Sequence, residues 1–295
     1  GAARGECPRS RLSAQARLAM DAAPDSALSR HSRDAPGGLF LINFVGKGIF
    51  MPRSFTAAVQ FDAAAGTGCA VLDGEDGRHI ARALRMRPGE RVTLCDGAGF
   101  DYDGEIESIA GDSVAVRITG KRKNESEPAL RVALYPGLPK ADKLELVAQK
   151  ATELGVSEIC PVLTARSVSR PDAKAAAKKQ ERLQRIVLEA AKQSGRGAVP
   201  AVSALADFRT AVQNAKGAKI LFYEGGGAPL SVCLPAGERE VSVFIGPEGG
   251  FDAEEVEFAR AHGAVTATLG PRILRTETAP LAALAILMFM TGNME

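Results

Sequence analysis

The chain has 295 residues, 45% of them hydrophobic and 24% charged, so it is long enough to bury the cores of about two domains. Its formal net charge of only +2 excludes a global electrostatic field as the basis for binding a polyanion and leaves local basic clusters as the alternative. Neither apolar stretch, 39–50 or 281–290, reaches the about 20 residues of a membrane span, so we expect a soluble, cytoplasmic protein.

Cysteine and histidine usage argues against a metal site. The five cysteines are scattered without a CxxC pair, and the chain has only three histidines. We therefore expect reduced thiols and no bound metal.

Residues 1–50 show no sustained hydrophobic period. They also lack the basic start followed directly by an apolar stretch that is typical of a signal peptide. We expect this segment to be a disordered extension, of upstream or cloning origin, in front of a natural start at Met51. The alternative is a genuine disordered tail.

Between Met51 and about Asn124, β-rich runs alternate with turn pairs. The runs "CAVLDG", "ERVTLCDGAG" and "DYDGEIESIAGDSVAVRITG" repeatedly carry Asp-Gly where a run ends, which is typical of turns between strands. The segment "KRKNESEP" then breaks all periodicity. We predict a small β-rich domain over 51–124, with the boundary near Lys123.

One helical stretch, "EDGRHIARALRMRPGE", interrupts these strands. Ile80, Ala83 and Leu84 are predicted to form its apolar face, and Pro88-Gly89 to end it. Three arginines at i, i+4 and i+7 are predicted on the opposite face, with a fourth just beyond, as a basic stripe suited to phosphates. They are Arg78, Arg82, Arg85 and Arg87.

After residue 124, apolar runs alternate with amphipathic helices, a pattern that favours a parallel α/β sheet. The strand "LRVALYPG", the helix "KADKLELVAQKATELG", the strand "SEICPVLT" and the helix "AAAKKQERLQRIVLEAAKQSG" come first. The last three predicted strands, "KILFY", "VSVFI" and "AVTATL", each run into a glycine-bearing loop. Because ligands of open α/β sheets bind beyond the carboxyl ends of strands, these three loops are the predicted binding site.

The loop in "FIGPEGGF" precedes a predicted helix that begins with the capping pair Asp252 and Glu255. Its glycines allow a ligand to approach the backbone closely, and the alternative is a simple tight turn. Neither GxGxxG nor GxxxxGK[ST] occurs near it, which argues against a dinucleotide site and against a P-loop.

The stretch "LGPRILRTETAP", 269–280, presents charged side chains between glycine and proline, ahead of the helix "LAALAILMFM". This helix is apolar around its whole circumference, so it must be covered on all sides, and we favour a subunit interface over a central position. Arg272 and Arg275 are either solvated surface charges or functional groups. Their place between the loop glycines and a buried helix favours function.

The order of these motifs resembles a known family. "FIGPEGGF" followed by "LGPRILRTETA", with "QKATELGV" and "EAAKQSGR" upstream, is similar to the RsmE family of bacterial 16S rRNA uridine-N3 methyltransferases, in the SPOUT superfamily. Pro52-Arg53 and "HIARALRMRPGE" match the N-terminal features of that family. The resemblance runs from Met51 to the C-terminus.

The resemblance implies a PUA-like β-barrel RNA-binding domain over 51–124. It also implies an α/β SPOUT methyltransferase domain over 125–295, whose parallel sheet ends in a C-terminal trefoil knot around S-adenosylmethionine, a rare topology. A homodimer through the knot region and 16S ribosomal RNA within the small subunit are the implied partners. The implied cofactor-binding residues are Tyr223, Glu224, Gly246, Pro247, Glu248, Gly249, Gly250, Leu269, Gly270, Ile273, Leu274, Arg275, Thr276 and Thr278.

Methyl transfer from a sulfonium needs no metal, because the methyl group is already activated. Arg275 is the predicted catalytic cation, which stabilises negative charge on uracil as N3 loses its proton. Glu277 is the second catalytic candidate, either as a base or as a group that orients Arg275 or the cofactor amine. The predicted RNA-binding residues are Arg53, Arg78, Arg82, Arg85, Arg87, Lys140, Lys143 and Arg196, with Lys150 as a further candidate.

Two alternatives to the N3 activity stay open. One is a ribose 2′-O RNA methyltransferase of the same superfamily, and the other is a non-catalytic RNA-binding protein that keeps the knot as a scaffold. The intact GPEGG and RTETA loops disfavour the second. The match to the base-methylating family as a whole disfavours the first, although by analogy.

Overall fold

The computed structural model describes residues 52–294. The predicted extension, 1–50, and the predicted start at Met51 lie outside these residues. The described chain divides into two compact units. The first comprises the described residues up to Asp96 together with Phe100–Arg122, and the second comprises Gly97–Gly99 and the residues from Lys123 onward.

The first unit is built on one six-stranded mixed sheet. The pairs β4–β5, β2–β3 and β3–β6 are antiparallel, whereas β1 pairs with β4 in parallel. In the first half of β6 every second residue is fully buried, at Val114, Val116 and Ile118, which is the inside–outside alternation of a half-buried strand. The strands are β1 (Arg53–Phe55), β2 (Gln60–Asp62), β3 (Thr67–Leu72), β4 (Arg91–Cys95), β5 (Phe100–Ala110) and β6 (Ser113–Lys123), in the order β1-β4-β5-β6-β3-β2.

One of the predicted turns in this unit is wrong. The pair Asp103-Gly104 lies within β5 and does not end a strand. A β carbon at Gly104 would overlap the Val116 side chain on the neighbouring strand, so glycine serves close strand packing there. The turn between β5 and β6 is instead made at Gly111, whose φ is +64°.

The helical stretch of the first unit is shorter and less regular than predicted. It consists of the helix α1 (Gly74–Arg78) and one π-helical turn, His79–Ala83. Ile80 is buried as predicted, but Ala83 and Leu84 are exposed, so the predicted apolar face is only partly correct. The wider π turn changes the angular spacing of the side chains that the helical pattern assumed.

The second unit contains a seven-stranded sheet in which every pair is parallel. This confirms the predicted α/β architecture. A separate two-stranded ribbon pairs β9 with β11. The strands are β7 (Arg131–Pro136), β8 (Glu158–Ile159), β9 (Val162–Leu163), β10 (Ala201–Val202), β11 (Ala206–Asp207), β12 (Ala218–Phe222), β13 (Ala228–Pro229), β14 (Glu240–Ile245) and β15 (Ala264–Thr268), and the large sheet has the order β10-β8-β7-β14-β12-β15-β13.

Helices cover both faces of this sheet. Successive residues of its central strands therefore pack into two different cores, one on each face. Val243 of β14 belongs to the core beneath α2, α3 and α7, whereas the next residue, Phe244, belongs to the core beneath α4 and α6. The Phe244 ring stacks on Tyr135 with centroids 4.4 Å apart. The helices are α2 (Lys143–Glu153), α3 (Ala173–Gln193), α4 (Phe208–Asn214), α5 (Leu230–Cys233), α6 (Ala253–Ala261) and α7 (Ala279–Met290).

Helix ends in this unit follow the sequence signals. Gly155 follows α2 with φ +91°, the left-handed conformation of a C′ glycine. Asp252 and Glu255 form the predicted capping box at the start of α6. Within residues 52–294, no helix combines the length and apolarity needed to cross a membrane.

Candidate functional site

Three glycine-bearing loops leave the same edge of the large sheet. They follow β12, β14 and β15, which are direct neighbours in the order β14-β12-β15 and run parallel. Their carboxyl ends therefore meet at one edge, as the sequence predicts. The three loops, here called the site loops, are 223–227, 246–250 and 269–278.

The first two site loops touch at a glycine. Gly250 has a φ of +69°, and a β carbon there would overlap the carboxylate of Glu224. The Gly250 N–H also donates a hydrogen bond of 2.9 Å to the Pro247 carbonyl oxygen, which closes the turn. Only glycine fits this position, because it supplies both the left-handed backbone and the space for a neighbouring carboxylate.

The third site loop is joined to the second by a side chain. Thr276 Oγ1 donates a hydrogen bond of 3.0 Å to the carbonyl oxygen of Gly246. The Arg275 carbonyl oxygen accepts hydrogen bonds from the backbone N–H groups of Thr278 and Ala279, at 2.8 and 2.9 Å, so loop 269–278 ends in a tight turn that leads into α7. Loops 246–250 and 269–278 are thus held together by the chain's own atoms.

A lysine outside the site loops also links them. Lys143, the first residue of α2, donates from Nζ to Glu248 Oε1 at 2.9 Å and lies 3.3 Å from Glu277 Oε2. The Glu248 carboxylate also accepts the backbone N–H of Lys140 at 3.3 Å. The side chain of Glu248 is therefore turned toward the start of α2.

The segment after β9 supports loop 246–250 from outside. Arg166 Nη1 donates to the Gly249 carbonyl oxygen at 3.1 Å, and Arg166 Nη2 lies 3.5 Å from Asp252 Oδ2. The buried Glu255 accepts the Ala165 N–H at 2.8 Å, which ties the same segment to the start of α6. Arg166 could not be predicted from the sequence, since nothing in the local pattern connects it with a glycine 83 positions later.

The two predicted catalytic residues have different surroundings. Arg275 is exposed, and its guanidinium has no partner among residues 52–294. Glu277 is half-buried, with its carboxylate beside Lys143. Arg275 is thus available to a bound molecule, whereas Glu277 is engaged within the protein.

The remaining predicted cofactor residues all lie in or next to the site loops. Tyr223 is half-buried and packs against Gly225, and Leu269 packs against the core beneath α7. Ile273 is 92% exposed, which is unusual for an isoleucine. The glycines of these segments have no side chain that would keep a ligand away from their backbone.

Two of the arginines predicted to bind RNA lie inside the protein, which argues against that role. The Arg196 side chain is 5% exposed, pairs with Glu127 at 2.8 Å and donates to the carbonyl oxygens of Thr152 and Val156. Arg53 is 12% exposed and pairs with the buried Asp101. Both guanidinium groups neutralise or satisfy buried partners and are not available to a phosphate.

The basic helical stripe is only partly present. Arg78 and Arg82 are exposed and share Asp112, at 3.2 and 2.7 Å. Arg85 lies beyond the helical turns with φ +53°, so the prediction that all three arginines share one helix face is wrong. The side chains of Arg85, Arg87 and Lys140 are exposed and have no partner among the described residues.

Among residues 52–294, the cysteines form no disulfide. Burial raises the pKa of the Cys95 and Cys160 thiols to about 12, so both stay protonated near neutral pH. Cys69 is only half-buried. In residues 52–294 no group of three or more His, Cys, Asp and Glu side chains is arranged to hold a metal ion.

Comparisons with known proteins agree with this architecture. Residues 125–288 match the model of an RNA methyltransferase domain, and residues 72–119 match that of an RNA methyltransferase PUA domain. The ribosomal RNA small subunit methyltransferase E of Bacillus subtilis is 38% identical over 230 residues, which cover 75% of this chain and 90% of that protein. Its counterpart from Mycobacterium tuberculosis is 32% identical over 232 residues, covering 76% of this chain and 87% of that protein.

Solved structures of methyltransferases are also similar to this chain. A methyltransferase from Legionella pneumophila in complex with bound S-adenosylmethionine has a TM-score of 0.75 and 31% identity, covering 82% of this chain and 98% of that one. A ribosomal RNA small subunit methyltransferase E from Neisseria gonorrhoeae, bound to S-adenosylmethionine, has a TM-score of 0.74 and 30% identity, with coverage of 81% and 98%.

Proposed function

Because the chain belongs to the ribosomal RNA small subunit methyltransferase E family, we propose that it transfers a methyl group from S-adenosylmethionine to N3 of a uridine in 16S ribosomal RNA. The observation that carries this proposal is the meeting of the three site loops at one edge of the parallel sheet, joined through Gly250 and Thr276. The metal-free chemistry follows from the cofactor, whose sulfonium supplies an already activated methyl group.

The residues present fit such a cofactor. Gly246, Gly249 and Gly250 carry no side chains that would block a ligand, and Thr276 holds the Gly246 carbonyl in place. We assign the backbone of loops 246–250 and 269–278 to the adenine and methionine parts, with Tyr223 and Glu224 closing the third side. The assigned loop residues otherwise comprise Pro247, Glu248, Leu269, Gly270, Ile273, Leu274, Arg275 and Thr278.

Arg275 is the catalytic cation of this proposal. Its guanidinium is exposed and unpaired within the described chain, so it can be placed beside uracil O2 or O4 without first breaking an ion pair. Loss of the N3 proton puts negative charge on these oxygens, and a fixed cation stabilises that charge in the transition state.

RNA binding is assigned to the exposed basic side chains of both units. The proposed RNA-binding residues of the first unit are Arg78, Arg82, Arg85 and Arg87, and that of the second unit is Lys140. Their side chains are accessible, and contacts to phosphates contribute affinity without sequence discrimination. The assembled small subunit is the proposed form of the substrate, because shape then supplies the specificity that phosphate contacts lack.

A homodimer through the C-terminal region completes the proposal, together with a trefoil knot in the chain around the cofactor. The described residues do not cover α7 on all sides, because Ile286, Phe289 and Met290 are exposed, at 39%, 62% and 38%. An apolar helix face of this kind favours a second copy of the chain. The exposed Ile273 lies in the loop that leads into the same helix.

Cofactor binding gives a direct test. Isothermal titration of the full chain with S-adenosylmethionine should show binding that a metal chelator leaves unchanged. Absence of binding by well-folded protein would contradict the proposed function, and loss of binding on chelation would contradict the metal-free site.

A further inference from the structure

One ammonium group is shared by carboxylates from two different site loops. Lys143 Nζ lies 2.9 Å from Glu248 Oε1, in loop 246–250, and 3.3 Å from Glu277 Oε2, in loop 269–278. Lys143 itself belongs to neither loop, because it is the first residue of α2. The two loops are therefore connected through a third element of the fold.

These ion pairs are partly buried. The three side chains are only 31%, 27% and 27% exposed, for Lys143, Glu248 and Glu277. Glu277 Oε2 is buried and receives no hydrogen bond of good geometry from the described residues, so the ammonium is the charge that offsets its burial. Partly buried ion pairs are screened less by salt than exposed ones.

These contacts also shift the pKa values of Lys143 and Glu248. The hydrogen bond to Glu248 raises the pKa of Lys143. Partial burial alone would raise the pKa of Glu248, but the hydrogen bond from Lys143 and backbone hydrogen bonds hold that pKa below its ordinary value. Lys143 therefore stays charged and Glu248 stays ionised near neutral pH.

The same contacts argue against the RNA-binding role predicted for Lys143. Its ammonium already faces two carboxylates, and the three charges together are formally negative. A phosphate approaching this cluster would meet net repulsion. Lys140, whose side chain has no partner among the described residues, does not have this obstacle.

We propose that Lys143 is a positioning residue that fixes loops 246–250 and 269–278 in the arrangement that binds the cofactor, acting through Glu248 and Glu277. Glu277 is thereby an anchor of the loop that carries Arg275, and not the acceptor of the uracil proton. The inference deepens the proposed function, since it concerns the same site and the same cofactor.

The proposed connection of the two loops through Lys143 is tested first in the cofactor-free full chain, by hydrogen exchange measured with mass spectrometry. Lys143→Met should raise amide exchange in both loops by about tenfold, the effect of losing one charge-assisted hydrogen bond, while Lys143→Arg restores most of the protection. The matched control is Lys178→Met, at an exposed position of α3 without a partner in the described chain. Unchanged exchange in both loops of a folded Lys143→Met protein would overturn the proposal.

Binding experiments separate this role from an RNA contact. Lys143→Met should raise the dissociation constant of S-adenosylmethionine about tenfold and leave the salt dependence of RNA binding unchanged. In a Glu277→Gln background the same substitution should have a smaller effect, because one of its two partners is already lost. An unchanged cofactor affinity, with a salt slope lowered by about one, would assign Lys143 to a phosphate instead.

The two proposals fail in different ways. If the wild-type chain does not bind S-adenosylmethionine, the proposed function is wrong, and the exchange measurement still decides whether Lys143 links the loops. If the wild type binds and methylates but exchange in Lys143→Met equals that of the wild type, only the role of Lys143 is wrong.

Discussion

The hydroxyl group of Thr276 donates a hydrogen bond of 3.0 Å to the carbonyl oxygen of Gly246, across 30 positions of sequence. The bond joins the loop after β14 to the loop that carries Arg275. The carbonyl group that it occupies belongs to Gly246, one of the glycines assigned to the cofactor. This hydrogen bond and the contacts of Lys143 therefore both contribute to the relative position of these two loops.

Removal of this hydroxyl should weaken cofactor binding. Thr276→Val keeps the shape of the side chain but leaves the Gly246 carbonyl without its donor, at a cost of about 0.5–1.5 kcal/mol, or about two- to tenfold in the dissociation constant. Calorimetry measures the change, and Thr276→Ser, which keeps the hydroxyl, is the control. Equal affinities for the valine and serine variants would show that the hydrogen bond does not position the loop.

Arg275 should affect the chemical step and not cofactor binding. We expect Arg275→Ala to lower the rate of methyl transfer by on the order of 10²-fold, while the dissociation constant of S-adenosylmethionine changes by less than a few fold. Single-turnover kinetics and calorimetry separate the two effects. Loss of cofactor binding in this variant would assign Arg275 to the cofactor and remove it from catalysis.

Substitution of the buried Arg196 and of the exposed Arg85 and Arg87 should have opposite effects on stability and on RNA binding. Arg196→Met leaves the Glu127 carboxylate without its cationic partner, so we expect the free energy of unfolding by urea to fall by about 3–5 kcal/mol. Arg85→Ala combined with Arg87→Ala should leave stability unchanged, weaken RNA binding and lower its salt slope by about two. A stable Arg196→Met protein with weakened RNA binding would show that Arg196 contacts RNA and does not stabilise the fold.

The Glu127–Arg196 pair should also be visible in the pH dependence of stability. Partial burial alone would raise the pKa of Glu127, but the hydrogen bond from Arg196 holds it below its ordinary value. A depressed folded-state pKa means that the stabilisation is complete above the ordinary value and is lost as pH falls through the folded-state value. We expect the difference in unfolding free energy between wild type and Glu127→Gln to shrink as the pH falls below 4.5, and a constant difference would contradict this.

Local patterns were sufficient to predict the sheet edge that carries the site loops. Apolar runs that end in glycine-bearing loops mark β12, β14 and β15, and their parallel order follows from the alternation of strands and helices. Residues 201–214 were not predicted, because β10 and β11 have two residues each and α4 has seven, which is too short for a hydrophobic period to appear.

Ion pairs between residues far apart in sequence explain why some charged residues were assigned to RNA from the sequence. The local sequence predicts an exposed side chain for Arg196. In the structure this side chain is buried and paired with Glu127, which lies 69 positions earlier in the chain. Lys143 likewise meets Glu248 across 105 positions. Charged residues carry no local signal of their partners, so their assignment to RNA required the structure to correct it.

The central claim, methylation at uracil N3, is tested most directly by the modified nucleoside itself. Small ribosomal subunits from a strain that lacks this gene would be incubated with the purified chain and S-adenosylmethionine, and the 16S RNA would be digested and analysed by mass spectrometry. We predict one new 3-methyluridine, formed on the order of 10²-fold more slowly with Arg275→Ala under the same conditions. A ribose-methylated nucleoside, or no methylation by a chain that binds the cofactor, would contradict the account.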